Sequence, residues 1–147
     1  MVSINRFPRD NCPISIEVIN ERIENNQYYY RFRVTIVDKM TGIAYEEIVE
    51  KLFNYKIISI AYTRRYAVFL LKASNQYLLF LYQLDPSEFD NPEFFQIVKI
   101  YKVEDLFEYP QVQFKNEEKY AIVEMINGIA TSILEYRIPH FKIEDTV

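Results

Sequence analysis

Two runs in the middle of the chain, Val68-Phe69-Leu70-Leu71 and Leu78-Leu79-Phe80-Leu81-Tyr82, are apolar at every position. Successive residues of a β-strand point to opposite faces, so strands of this kind need cover on both sides of their sheet. The flanking segments read differently. On Tyr28–Val37, Tyr30, Phe32, Val34 and Ile36 share one face, while Arg31, Arg33 and Thr35 share the other. On Ala130–Ile138, Leu134, Tyr136 and Ile138 oppose Glu135 and Arg137. The pattern predicts a stack of three small sheets, the middle one dry on both faces and the outer two wet on one.

An internal repeat supports this division. Val49-Glu50-Lys51-Leu52-Phe53-Asn54-Tyr55 returns 54 residues on as Val103-Glu104-Asp105-Leu106-Phe107-Glu108-Tyr109. The same offset carries Tyr66-Ala67-Val68 onto Tyr120-Ala121-Ile122 and Tyr82 onto Tyr136, without a gap. A degraded third copy precedes the two. The chain of 147 residues therefore reads as a single domain, 1–147, of three units at approximately 1–50, 51–102 and 103–147.

Strands are expected at Ile14–Asn20, Tyr28–Val37, Ile43–Val49, Lys56–Tyr62, Tyr66–Lys72, Tyr77–Leu84, Phe94–Tyr101, Gln111–Lys115, Tyr120–Ile126 and Ala130–Ile138. Val2–Phe7 and His140–Val147 complete four strands per unit. With only two glycines, Gly42 and Gly128, tight turns fall to asparagine, which tolerates positive φ. Asn25-Asn26 and Asn127-Gly128 are placed to make them. Glu46–Tyr55 is ambiguous: Ile48, Val49, Leu52 and Phe53 also fit helical spacing. A strand running into a short helical turn is expected there and at its copy, with a helix of two or three turns as the alternative.

Val34-Thr35-Ile36-Val37-Asp38-Lys39-Met40-Thr41-Gly42-Ile43 resembles the third-strand, turn and fourth-strand passage of WD-repeat β-propeller blades. Lys119 to Val123, through Asn127-Gly128-Ile129, to Tyr136-Arg137-Ile138 is similar to the second and third strands of such a blade. The Trp-Asp and Gly-His pairs of that family are not present in the chain. The resemblance implies an all-β, propeller-like or partial-propeller fold that serves as a binding platform, usually without catalysis. A β-trefoil, with threefold repetition and about twelve strands, is the rival architecture.

Seventeen basic against 21 acidic side chains leave a net charge of −4, which argues against bulk attraction to nucleic acid or to an anionic membrane. No stretch approaches the ~20 apolar residues of a membrane span, and Met1 to Arg6 lacks a secretory core, so a cytoplasmic location is expected. One cysteine, Cys12, and one histidine, His140, offer neither a disulfide nor a Cys/His metal cage, and no glycine-rich phosphate loop exists. Asp85, Glu88, Asp90 and Glu93 form the densest carboxylate cluster but lack EF-hand spacing, and a solvated loop is their plainer reading.

Arg31 and Arg33, interleaved with Tyr28, Tyr29, Tyr30 and Phe32, superficially suit base stacking with phosphate contacts; an amphipathic strand with a polar outer face is their plainer reading. Thirteen tyrosines supply rigid contact area of the kind interfaces favour, although tyrosines capping a core give the same pattern. The expected activity is therefore non-catalytic: a protein–protein interaction or assembly module, with no cofactor, binding a protein partner or its own copy. Its expected surface is Tyr29, Arg31, Arg33, Arg64, Arg65, Tyr66, Tyr120 and Tyr136. A small-molecule or carbohydrate-binding trefoil is the alternative, nucleic-acid binding a more distant one.

Overall fold

A computed structural model describes residues 3–6, 14–38, 40–74, 76–85, 92–104, 110–115, 120–127 and 130–138. These residues form β1 (Ser3–Arg6), β2 (Ile14–Glu24), β3 (Gln27–Val37), β4 (Ala44–Phe53), β5 (Lys56–Tyr62), β6 (Tyr66–Lys72) and β7 (Gln76–Leu84). A 3-10 turn at Pro92–Phe94 leads into β8 (Phe95–Glu104), followed by β9 (Gln111–Lys115), β10 (Tyr120–Asn127) and β11 (Ala130–Arg137). The fold is all-β among the described residues. Strands β2-β3-β4 make one antiparallel sheet, β5-β6-β7-β8 a second with β1 added beside β5, and β9-β10-β11 a third.

The turns follow from local chemistry. Asn25 and Asn26 take φ of +53° and +63°, the paired positive values of a two-residue hairpin whose twist matches its strands. Gly42 takes φ +74° and closes the β3–β4 loop, donating to the Asp38 carbonyl at 2.7 Å while the Asp38 N–H donates to the Ile43 carbonyl at 2.9 Å. At the β5–β6 turn the buried Thr63 hydroxyl accepts from the N–H groups of Arg65 and Tyr66, at 3.1 and 3.0 Å. This turn is held by a side-chain acceptor, with no positive φ at Arg64 or Arg65.

The middle sheet is covered on both faces. On β6, Ala67, Phe69 and Leu71 point into a core shared with the first sheet, and Val68 and Leu70 into a core shared with the third. Phe69, Leu71, Leu79 and Leu81 are all fully buried. Burying each contributes about 1.5–3 kcal/mol relative to exposure, and both cores together hold the three layers as one body. The first core is dominated by rings: Phe69 lies 5.0–5.7 Å, centroid to centroid, from Phe32, Phe53, Tyr82 and Phe95. Such pairs add roughly 0.5–1.5 kcal/mol beyond area burial.

Two expectations require correction. Val2–Phe7 does not complete the first unit, because β1 lies in the central sheet, parallel to β5 with Ser3 opposite Ser59. Most of β5 is buried, and an unpaired buried edge would leave its N–H and C=O groups without partners. Glu46–Tyr55 does not run into a helical turn: β4 continues as a strand to Phe53, each of its ten residues opposite one of β3. Val49 and Phe53 are buried and Lys51 half-buried between them, which is a period of two; Ile48 and Leu52, which had matched the helical spacing, lie on the outer face. Among the described residues the strands form stacked sheets with two separate cores. The copy of that ambiguous segment (105–109) and the expected last strand (140–147) lie outside the described residues.

Candidate interaction surface

The outer face of the first sheet is a cross-strand charge ladder. Pairing puts Arg33 of β3 opposite Glu17 of β2 and diagonal to Glu46 of β4, and Arg31 opposite Glu50. Arg33 Nη1 lies 3.5 Å from Glu17 Oε1, Arg33 Nε 3.0 Å from Glu46 Oε1, and Arg31 Nε 3.1 Å from Glu50 Oε1. One row below, the Arg22 guanidinium sits 4.8 Å from the Tyr29 ring. A polar dimple of about 60 Å³ opens between Asn20, Arg22, Tyr29, Arg31 and Glu50. That is space for one or two waters. Exposed pairs of this kind stabilise by no more than about 1 kcal/mol, but they neutralise the cations that a phosphate backbone would need.

The remaining candidates separate. Arg64 and Arg65 are exposed at the β5–β6 turn, Arg65 lying 6.0 Å from the Tyr66 ring. Tyr66 itself is 3% exposed and belongs to the second core, so it offers no surface. Tyr62, Tyr77 and Tyr82 are likewise buried. For these four tyrosines the core-capping reading holds. Tyr136 is half-buried with its ring 5.1 Å from that of Tyr101, whose hydroxyl donates to the Arg137 carbonyl at 2.7 Å. Tyr120 opens β10, and its side chain lies outside the described residues, as do Cys12, His140, Glu88 and Asp90. Asp85 accepts from Gln96 Nε2 at 2.9 Å. Among the described residues no group of His, Cys, Asp or Glu could hold a metal ion, and no helix is long and apolar enough to cross a membrane.

The surface that reading residues alone did not single out lies on β8. Ile97 and Ile100 pair with Tyr82 and Phe80 and so face the side of the central sheet that the first sheet covers. Yet they are 53% and 51% exposed, and Phe80 and Leu78 beside them are only half-buried. The cause is strand count. The first sheet ends at β4, which lies over β7: the Phe53 and Phe80 rings are 6.2 Å apart, and Lys51 Nζ is 5.3 Å from the Tyr82 ring. The outermost strand, β8, is covered at its start, where Phe95 packs on Phe32, and from Ile97 onward projects beyond the first sheet as a ledge, with the end of β4 as its wall. An extra residue, Val98, bulges β8 and breaks the alternation that would have marked Ile97 and Ile100 as a pair in the sequence.

Lys51 stands on that wall. Burial against the rings of Phe53 and Tyr82 lowers its pKa from 10.5, an effect opposed by the nearby Glu93 carboxylate. It is half-buried and held between rings. Burial raises the phenol pKa values of Tyr30, Tyr82 and Tyr101.

Comparison with protein-family models, curated proteins and solved structures finds no match for this chain.

Proposed function

We propose that the protein is a non-catalytic interaction module, built of blade-like sheets, that docks a protein partner or its own copy along exposed sheet edges. The ledge carries this reading. Ile97 and Ile100 lie on a ten-residue edge strand, next to the half-covered Leu78 and Phe80. Exposed backbone donors and acceptors at a sheet edge are a template for strand addition, and the apolar floor beneath adds hydrophobic stabilisation. The charge ladder on the outer face favours a protein over a nucleic acid, since Arg31 and Arg33 already face carboxylates.

The blade-like part of the reading draws support from the way the repeat faces. Ile60, Ala67 and Tyr82 of the middle sheet belong to the core shared with the first sheet. Their counterparts 54 residues on, Phe114, Ala121 and Tyr136, belong or pack against the core shared with the middle sheet. Equivalent positions thus turn toward the preceding layer in both copies, as successive blades do. A closed propeller needs four or more blades, so the three sheets formed by the described residues leave outer surfaces for something else to complete.

The test is association measured by light scattering and cross-linking, for the native chain and for the double substitution Ile97→Asp with Ile100→Asp. Both sites are about half exposed, so each substitution should cost no more than about 1 kcal/mol of unfolding free energy and leave the chain folded. The expected result is association by the native chain that the substitution abolishes. Association unaffected by the substitution would count against the reading.

A further inference from the structure

We infer that the occupant of the ledge is a second copy of this chain, held in a two-fold dimer that pairs β4 of each protomer with β8 of the other. This rests on the interaction-module reading and names its partner. Both edges lie on one flank of the molecule, because β4 packs over β7, the neighbour of β8. In each protomer the central sheet projects past the first along β8 from Ile97 onward. Two such steps are self-complementary: a two-fold axis between the layers sets β8 of one copy beside β4 of the other, and repeats the seam on the opposite side. Isologous closure of this kind is the commonest in soluble oligomers.

Charge selects this pairing. Exposed on β4 are Glu46, Glu47 and Glu50, of which Glu46 and Glu50 also pair with Arg33 and Arg31, and Lys51 beside them is half-buried; exposed on β8 are Lys99 and Lys102. Pairing β8 with β8 would bring lysines together, and β4 with β4 glutamates, whereas β4 with β8 joins opposite signs. The faces agree as well. Glu46 and Glu50 point to the outer face of the first sheet, and Lys99, opposite Leu81, points away from the ledge. Glu47, opposite Val34, and Lys102, opposite Leu78, point to the ledge side. In the dimer Lys99 of one copy meets the Glu46 and Glu50 side of the other, Lys102 meets Glu47, and the Ile97 and Ile100 pairs of both copies pack face to face.

A standard stable interface takes roughly 20–30 residues from each side. The strands β4 and β8 bring at most ten each, together the low end of that range, with Val49, Phe53, Phe95 and Val103 already buried within the protomer.

The experiment is a charge swap read by solution mass at micromolar concentration. One variant carries Lys99→Glu and Lys102→Glu, a second Glu46→Lys and Glu47→Lys, with circular dichroism to confirm that both fold. The native chain should be a dimer. Each variant alone should dissociate about tenfold or more readily, since both of its seams become like-charged. An equimolar mixture should recover the dimer, because both seams then join opposite signs. A native dimer indifferent to both reversals, or a mixture that stays monomeric, would overturn the inference. So would a native monomer that binds a different protein through Ile97 and Ile100, an outcome that leaves the interaction-module reading standing. A native monomer whose ledge binds nothing overturns both.

Discussion

The Tyr30 hydroxyl of the first sheet accepts a hydrogen bond from the Ile57 N–H of the central sheet at 2.8 Å, with both residues fully buried. Two residues along, the buried Ser59 hydroxyl accepts from the Val112 N–H of the third sheet at 3.1 Å. Between them Ile58 is the extra residue of a β-bulge, with Ile57 opposite Leu71 and Ser59 opposite Leu70. The bulge lets neighbouring positions of one strand reach in opposite directions. Apolar layers slide freely in principle, since hydrophobic contact has no direction. These two bonds fix their register.

Removing either acceptor leaves a buried N–H without a partner. Tyr30→Phe and Ser59→Ala should each lower the unfolding free energy by about 1–3 kcal/mol in urea titrations. Tyr29→Phe, on the outer face of the same strand, should change it by less than about 0.5 kcal/mol. Equal effects of Tyr30→Phe and Tyr29→Phe would show that the cross-layer bond contributes nothing.

Phe69 is the hub of the first core, in ring contact with Phe32, Phe53, Tyr82 and Phe95. Phe69→Ala should cost about 3–5 kcal/mol, the range for a large buried ring whose cavity cannot collapse. Ile100→Ala, at the exposed ledge, should cost under about 1 kcal/mol in the same denaturation series.

Alkaline stability should follow the buried phenols. Tyr30 and Tyr82 keep their protons in the folded chain well above the ordinary value of 10.0, while the unfolded chain loses them near it. Folded protein then binds more protons than unfolded, so stability is level below about pH 10 and falls above it, by up to about 1.4 kcal/mol per pH unit for each tyrosine. Lys51 acts oppositely. Its folded pKa lies below 10.5, so between the two values the unfolded chain holds more protons and stability rises with pH. Tyr82→Phe should make the decline above pH 10 shallower, and Lys51→Met should remove the opposing rise. Urea midpoints between pH 8 and about 11 check both.

Much of the layering was legible because it depends on period alone. The doubly apolar runs around Phe69 and Leu79 demanded cover on both faces, and Asn25-Asn26 met the need for positive φ that scarce glycine left open. What was not legible depends on partners distant in sequence. Nothing in Ser3 to Arg6 marks β1 for a parallel place beside β5 rather than a unit of its own. Ile48 and Leu52 imitated a helical stripe because a half-wet strand can carry apolar residues on its outer face. Tyr66 looked like a rim residue by its place at a strand end, yet it is buried under the third sheet. The ledge needed two facts no local pattern contains: that the first sheet has three strands among the described residues, and that Val98 bulges β8.

The layered arrangement is tested most directly by amide hydrogen exchange of the native chain. Amides of Tyr66–Lys72, the strand covered on both faces, should exchange only through global unfolding and be the slowest in the molecule. Exchange of β6 as fast as that of the outer strand β2 would show that no second layer covers it, and the three-sheet stack would be wrong.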